Sequence, residues 1–415
     1  MKPLIWIITL LLIVSVAYAQ EETISPALNR QLDALVTITE RLRGLETIEA
    51  VVRQFPTREQ TIAYLAEIYS RDLPAEEMER SRLLYVSLDM LPADLDLGEV
   101  YLNLLGSQIA GFYDTDTKIM NVIPTIGDDV GESLSLTEQL VYIHEYTHAL
   151  QDQHFSLEVL ESEALQEAPD QLLAALSLVE GDATATMQVY SQEVARRNPA
   201  AAFELLAEGL IAGNLVLPEG VPPVLARELL FPYEAGLTFV LALYNDGGWE
   251  RINAAYENLP QTSEQIIHPE KYLAGEGAVP VDALDLGLGE NWQEVWNITL
   301  GEFYLREHLR TELSSFEAGL GAAGWGGDRF QLYVDPETNE LIWALQIVWD
   351  TPEDATQFTD LYIERGDLKF GSPPEEGCWS NDSTALCLVE HENGSLIISA
   401  PTLAQAQEIL AAVQG

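Results

Sequence analysis

The first third of the chain repeats apolar and polar positions with the spacing of amphipathic helices. From Pro26 to Leu105, apolar residues recur three and four positions apart, which places them on one face of a helix. One stripe begins at Leu28, a second helix opens at Thr57, and a third opens at Pro74. These helices form either a packing subdomain or a removable pro-segment. No residue pattern identifies a processing site, so we assign them to the domain that follows.

Two further helices are predicted in the middle of the chain. Ser135 to Phe155 has an apolar stripe, and Ser135 and Glu138 have the spacing of a capping box. The next helix opens at Pro169, a first-turn position, and runs through Val179.

Ile109 to Ile123 interrupts the helical pattern. Two short apolar runs flank a turn-rich cluster, Asp114 to Thr117, and this arrangement predicts a β-hairpin. The hairpin is either an ordinary part of a mixed domain or an edge strand whose free backbone groups bind an extended peptide.

The pattern then stays mainly helical to about Leu313, with stripes at Leu205 to Leu215 and Phe239 to Tyr244. Two segments, Phe231 to Gly236 and Thr262 to Tyr272, are typical of loop-to-helix junctions with polar tips. Both are expected at the rim of a cleft.

After the glycine-rich Gly321 to Gly327, interpreted as a linker or tight turn, the pattern changes to strands and helices in the order β-β-α-β-β-α. The predicted strands are Phe330 to Val334, Leu341 to Val348, Ala385 to Val389 and Leu396 to Ser399; the predicted helices are Pro352 to Ile363 and Leu403 to Val413. Cys378 and Cys387 are the only cysteines, and in an exported chain we expect them to form a disulfide.

Export itself is predicted from residues 1–19. Lys2, an apolar run from Leu4 to Val16 and the Ala17-Tyr18-Ala19 cleavage pattern are typical of a signal peptide, and the run is short for a membrane anchor. The net charge of −47 argues against nucleic-acid binding, which needs lysine and arginine at the phosphates. We therefore expect no nucleic-acid partner and no stable membrane insertion after cleavage.

The chemistry is concentrated in the helix from Ser135 to Phe155, which contains the HExxH motif His144-Glu145-Tyr146-Thr147-His148. Residues four apart lie on one helical face, so both imidazoles can reach one metal ion. The alternative is a solvated helix with histidines spaced by chance. A catalytic zinc site needs a third protein ligand, and Glu180 in the next helix is either that ligand or one more acid in an acidic chain.

The motif, followed by Glu180 in the string Leu178-Val179-Glu180-Gly181-Asp182-Ala183, resembles the gluzincin group of zinc metallopeptidases. The resemblance covers about residues 108–190 and implies that His144, His148 and Glu180 bind zinc and that Glu145 is the general base. It also implies that Asp152 or Asp182 is a partner of the ligands. The chain departs from thermolysin and the membrane-alanyl aminopeptidases in the long gap before Glu180 and in lacking an Asn-Glu string, so substrate preference does not carry over.

Metallopeptidases of this type stabilise the oxyanion with a His or Tyr that follows the ligands in sequence. His268, just before Pro269, is one candidate, and its alternative role is to cap its helix. Tyr233 and Tyr272 are the other candidates.

The expected fold is α+β: a mainly helical, zincin-like domain with a short hairpin or edge strand at residues 20–318, and a small α+β domain with one disulfide at residues 319–415. The expected function is that of an exported zinc-dependent metallopeptidase acting on a peptide or protein. The alternative is an exported zinc-containing binding or structural protein without peptidase activity.

Overall fold

The structure, a computed structural model, describes residues 24–57, 59–64, 74–108, 111–123, 131–200 and 220–414. Its described part is α+β with two sheets, as the sequence predicts. The predicted signal peptide and the stripe from Leu205 to Leu215 lie outside these residues. Contacts divide the chain into two compact units. Unit 1 comprises Met1–Met78, Asp96–Gln166 and Leu172–Pro260, and unit 2 comprises Glu79–Leu95, Glu167–Gln171 and Gln261–Gly415.

Unit 1 is mainly helical. Its longer described helices are α1 (Pro26–Arg43), α3 (Leu97–Gln108), α4 (Leu136–Phe155), α6 (Pro169–Arg197) and α7 (Pro223–Glu257). Two helices are divided between the units: α2 (Ala75–Ser87) begins in unit 1 and ends in unit 2, and α6 belongs to unit 1 from Leu172 onwards. A 3₁₀ turn (Leu157–Glu161) and the short α5 (Glu163–Gln166) lie between α4 and α6. The apolar stripes of α1 and α4 face each other, so that Leu28, Leu32 and Leu35 share one core with Ile143 and Leu150. Burial of these stripes accounts for the helical register predicted in both segments.

A small sheet packs on α4. The predicted hairpin is present as antiparallel strands β2 (Gly111–Asp114) and β3 (Ile119–Val122), and β3 also pairs in parallel with β1 (Val52–Gln54). The strand order is β1-β3-β2, which makes β2 an edge of the described sheet. The sequence did not predict β1, because three residues are too few for a period-two pattern to be recognised.

Helices α6 and α7 cross with their backbones in direct contact. A Cβ atom added to Gly181 would lie 2.2 Å from the carbonyl oxygen of Gly236, and one added to Gly236 would lie 2.2 Å from the carbonyl oxygen of Ser177. Only glycine therefore fits at either position. The predicted junction from Phe231 to Gly236 is wrong: this segment, including Pro232, lies inside α7. The break in α7 comes instead at Gly247 and Gly248, whose backbone angles are non-helical.

Unit 2 contains a six-stranded antiparallel sheet. Its strands are β4 (Gln293–Ile298), β5 (Trp325–Val334), β6 (Leu341–Trp349), β7 (Cys378–Ser380), β8 (Ala385–His391) and β9 (Gly394–Ala400), in the order β4-β5-β6-β9-β8-β7. Its helices from residue 261 onwards are α8 (Ser263–Ile267), α9 (Pro269–Ala274), α10 (Gly301–Leu309), α11 (Ser315–Ala322), α12 (Pro352–Phe370) and α13 (Leu403–Gln414).

All four strands and both helices predicted after residue 327 are present. Two strands of this sheet, β4 and β7, were not predicted. Strand β4 contradicts the expectation of helix as far as Leu313, because the buried side chains of Trp296 and Ile298 have the period of two that a strand requires. The sheet thus begins before the predicted boundary at residues 318 and 319. The linker reading of the glycine-rich segment is wrong and the tight-turn reading is right, since Gly324 has a φ of 77° and Trp325 already starts β5.

The predicted disulfide between Cys378 and Cys387 is present and joins β7 to β8 at directly paired positions. Both cysteines are buried against α13 in the sheet's core. None of the helices in the described part of the chain combines the length and the hydropathy that a membrane span requires.

We predict that Gly236→Ala destabilises unit 1, because the new methyl group meets backbone atoms that cannot rotate away. The free energy of unfolding should fall by about 3 kcal/mol, the upper end of the range for over-packing. Thermal or denaturant unfolding measures the loss. Gly319→Ala is the matched control, since the same substitution there, also within a helix, meets nothing within 4 Å. Equal stability of the two variants would contradict the close crossing.

Candidate metal centre

The HExxH segment lies in the middle of α4. Ser135 and Glu138 form the capping box that the sequence predicts, which fixes where the helix begins. From that start, His144 and His148 fall on the same face, one turn apart. Their side chains are almost inaccessible, with His144 8% and His148 1% exposed.

Glu180 reaches the same point from α6. Its Oε2 lies 3.0 Å from Nε2 of His144 and 3.5 Å from Nε2 of His148, and the two Nε2 atoms are 3.1 Å apart. These residues form the only group of three potential metal ligands found in the described part of the chain. The three side chains named from the sequence as zinc ligands are therefore brought together by the fold.

The arrangement fits a zinc ion. Zinc bonds of about 2.0–2.2 Å at tetrahedral angles separate ligand atoms by about 3.3–3.5 Å. The observed separation of 3.5 Å already matches, and those of 3.0 and 3.1 Å need to open by only about 0.3 Å. Two imidazoles and one carboxylate are also a donor set that zinc accepts, and three protein ligands leave a fourth position open.

The electrostatics of the cluster attract a cation. Burial disfavours a charged His148, but the adjacent Glu180 carboxylate outweighs it and raises the pKa of His148 to about 9. Burial likewise opposes ionisation of Glu180, yet His148 and His144 lower its pKa to about 2. In the metal-free chain, a proton on His148 thus occupies the place that suits a metal ion.

Glu145 lies beside the candidate ligands and is not one of them. Its Oε2 accepts a hydrogen bond of 3.0 Å from the backbone N–H of Tyr113 in β2, so the edge strand orients this carboxylate. Burial raises the pKa of Glu145, while the two histidines lower it and Glu180 raises it further. A carboxylate of raised basicity next to the ligands is what a general base requires.

Tyr233 is a predicted oxyanion candidate that lies at the cluster within unit 1. It lies in α7, one turn before Gly236, so the glycine crossing with α6 brings it to Glu180. Its ring is stacked on His144, with the two ring centroids 6.0 Å apart. Burial, then Glu180 and Glu145, raise the pKa of the phenol well above its usual value, so it stays a hydrogen-bond donor.

His268 and Tyr272 lie in unit 2. His268 lies between α8 and α9, as the junction prediction implies. It is the C-cap residue of α8, as its alternative role predicts: its backbone N–H donates to the carbonyl oxygen of Glu264, and its imidazole makes no side-chain bond as N-cap of α9. Its Nε2 is 3.2 Å from the buried carboxylate of Glu302, which raises the pKa of the imidazole. Tyr272 is buried in α9. Catalytic roles for these two residues stay predictions.

The partners of the ligands differ from the expectation in one respect. Asp152 bonds the hydroxyl of Tyr113 and the ammonium of Lys118, and so ties the hairpin to α4. The contact to His148 comes from Gln151, which in turn bonds Asp182. The sequence reasoning missed Gln151, although its position three residues after His148 puts it on the same helical face.

Comparison with known proteins adds one match. Residues 293–410 fit a family model described as a domain of unknown function, DUF8575. That stretch runs from β4 into α13 and contains none of the candidate metal ligands. No curated protein and no solved structure matches the chain.

We predict that zinc affinity rises with pH. Zinc must displace the proton that His148 holds below its pKa of about 9, so affinity should increase about tenfold per pH unit up to that value and then level off. Competition titrations against a chelator, corrected for protonation of the chelator, measure the slope. An affinity that does not change between about pH 6 and pH 9 would contradict the assigned cluster.

Proposed function

We propose that the chain is a zinc-dependent peptidase with His144, His148 and Glu180 as ligands. The observation on which the proposal rests is the convergence of three buried ligand atoms within 3.5 Å of one another, beside a carboxylate that is not a ligand. The resemblance to the gluzincins supports the same assignment. Zinc held in this way supplies a Lewis acid that activates water at neutral pH.

In this proposal Glu145 is the general base. Its raised pKa suits it to take a proton from the attacking water and to pass that proton to the leaving amine. The hydrogen bond from the N–H of Tyr113 leaves the second carboxylate oxygen for this work. Glu145 is partly exposed to solvent, whereas His148 is buried.

Tyr233 is the proposed oxyanion donor. The substrate carbonyl gains negative charge as water attacks it, and a neutral phenol beside the ligands can donate a hydrogen bond to that charge. The raised pKa of Tyr233 keeps its proton in place through the neutral range. The substrate in this proposal is a peptide or protein, and the chain is exported.

We predict that Glu145→Gln lowers turnover by about 10²–10⁴-fold with zinc content unchanged, because glutamine cannot accept the proton. The side-chain amide oxygen can still accept the bond from Tyr113, so the melting temperature should not fall. Cleavage of a mixed peptide library, with and without a zinc chelator, gives the activity, and metal analysis gives the zinc content. Glu163→Gln, an exposed acid in α5, is the control. A wild-type chain that binds zinc but cleaves nothing in the library would favour the alternative of a zinc-containing binding protein.

We predict that Tyr233→Phe lowers turnover by about 10²-fold or more, as the loss of an oxyanion donor does, while zinc affinity stays within a few-fold of wild type. Tyr244→Phe is the matched control, since this tyrosine lies on the same helix and is 45% exposed. Full activity of Tyr233→Phe would return the role to His268 or Tyr272.

A further inference from the structure

Gln151 is a fully buried amide placed one turn after His148 in α4. Its Oε1 lies 2.8 Å from Nδ1 of His148. Its Nε2 lies 3.0 Å from the carbonyl oxygen of Val179 and 3.0 Å from Oδ2 of Asp182. The amide thus joins α4 to Val179 and Asp182, which lie on either side of Glu180 in α6.

These partners decide which way the amide points. The carbonyl of Val179 and the carboxylate of Asp182 can only accept hydrogen bonds, so the NH₂ group must face them. The amide oxygen must then face His148, where it can only accept. Nδ1 of His148 therefore bears a hydrogen, and the lone pair of the neutral ring is on Nε2, toward His144 and Glu180.

Asp182 is itself held in its role as acceptor. Its Oδ1 is 2.6 Å from Nε of Arg43, and its Oδ2 also accepts from the hydroxyl of Tyr256 at 2.9 Å. The side chains of Arg43 and Asp182 are both completely inaccessible. Arg43 is fixed in turn by Trp249, whose ring centroid is 4.7 Å from the guanidinium carbon, and by a 2.7 Å bond to Asn253.

We propose that Gln151 and Asp182, anchored by Arg43, are positioning residues that hold His148 with its hydrogen on Nδ1 and its Nε2 directed at the metal. In the usual arrangement a carboxylate or carbonyl bonds the ligand histidine directly. Here a carboxamide stands between the histidine and the carboxylate, so the orientation of the ring depends on a charge two hydrogen bonds away. The inference rests on the metal site of the proposed function, not on its peptidase activity.

The sharpest variant is Asp182→Asn, which keeps the shape of the side chain and touches no ligand. Asparagine presents its oxygen to Arg43 and therefore its NH₂ group to Gln151, which favours the reversed amide. A reversed Gln151 would offer hydrogens to Nδ1 of His148 and move the ring hydrogen to Nε2. We expect zinc affinity to fall by at least about tenfold, the range seen for such partners of metal ligands. Gln151→Met, which removes the acceptor outright, should lose a similar amount.

Two matched controls separate this effect from general loss of packing. Asp152→Asn is the same substitution at a neighbouring buried acid of α4 that bonds Tyr113 and Lys118. Gln153→Met removes an amide from the same helix that bonds the backbone of Ile48 and Glu49. Both controls should bind zinc within about twofold of wild type, by chelator competition. Asp182→Asn or Gln151→Met, folded and with wild-type affinity, would overturn the proposal.

A measurement on the wild-type full chain decides the matter even if the variants do not fold. The protein is labelled with nitrogen-15 in its histidine rings and loaded with cadmium-113, and the cadmium–nitrogen coupling identifies the coordinating atom. We expect coupling to Nε2 of His148, with Nδ1 protonated; coupling to Nδ1 overturns the proposal. A chain that binds neither zinc nor cadmium overturns this proposal and the proposed function together. Coupling to Nε2 in a chain that cleaves no peptide overturns the proposed function alone.

Discussion

The organisation of unit 1 depends on three lone pairs that meet in a buried space. Nε2 of His144, Nε2 of His148 and Oε2 of Glu180 lie 3.0–3.5 Å apart, and all three residues are buried. Electron-rich atoms at such distances repel one another unless a cation stands between them, so the cluster is stable only with a proton or a metal ion. The surrounding helices hold this arrangement against that repulsion.

The means of holding it is close backbone packing. Gly181 and Gly236 let α6 and α7 approach until backbone atoms touch, and Glu180 and Tyr233 are carried to the cluster by that approach. On the other side, α1 contributes Arg43, whose buried charge is paired with Asp182. Removing α1 would leave Asp182 buried without its cation, at a cost of about 3–5 kcal/mol. This argues that α1 is part of the folded unit.

Local signals in the sequence were enough to predict what local physics decides. The capping box at Ser135, the spacing of His144 and His148, and the paired cysteines each depend on few residues, and each appears in the structure as expected. Long-range contacts were not predictable in the same way. A loop-to-helix junction was predicted from Phe231 to Gly236 because the sequence does not reveal that α7 has already begun. Strand β4 was not predicted because its partner residues in β5 lie more than thirty positions later. Gln151 had a visible spacing, but its role depends on Asp182 and Arg43, which are distant in sequence.

The edge strand β2, which packs beside α4, has a further consequence for any molecule that docks on it. Along β2 the backbone N–H of Tyr113 points away from β3 and toward Glu145. One N–H group donates one strong hydrogen bond, so an extended chain that pairs with β2 at this position competes with the carboxylate for the same donor. Either the incoming chain forms no hydrogen bond at this position, or Glu145 loses its hydrogen bond from Tyr113. In the second case, the arrival of a ligand on the strand would itself set the carboxylate free to move.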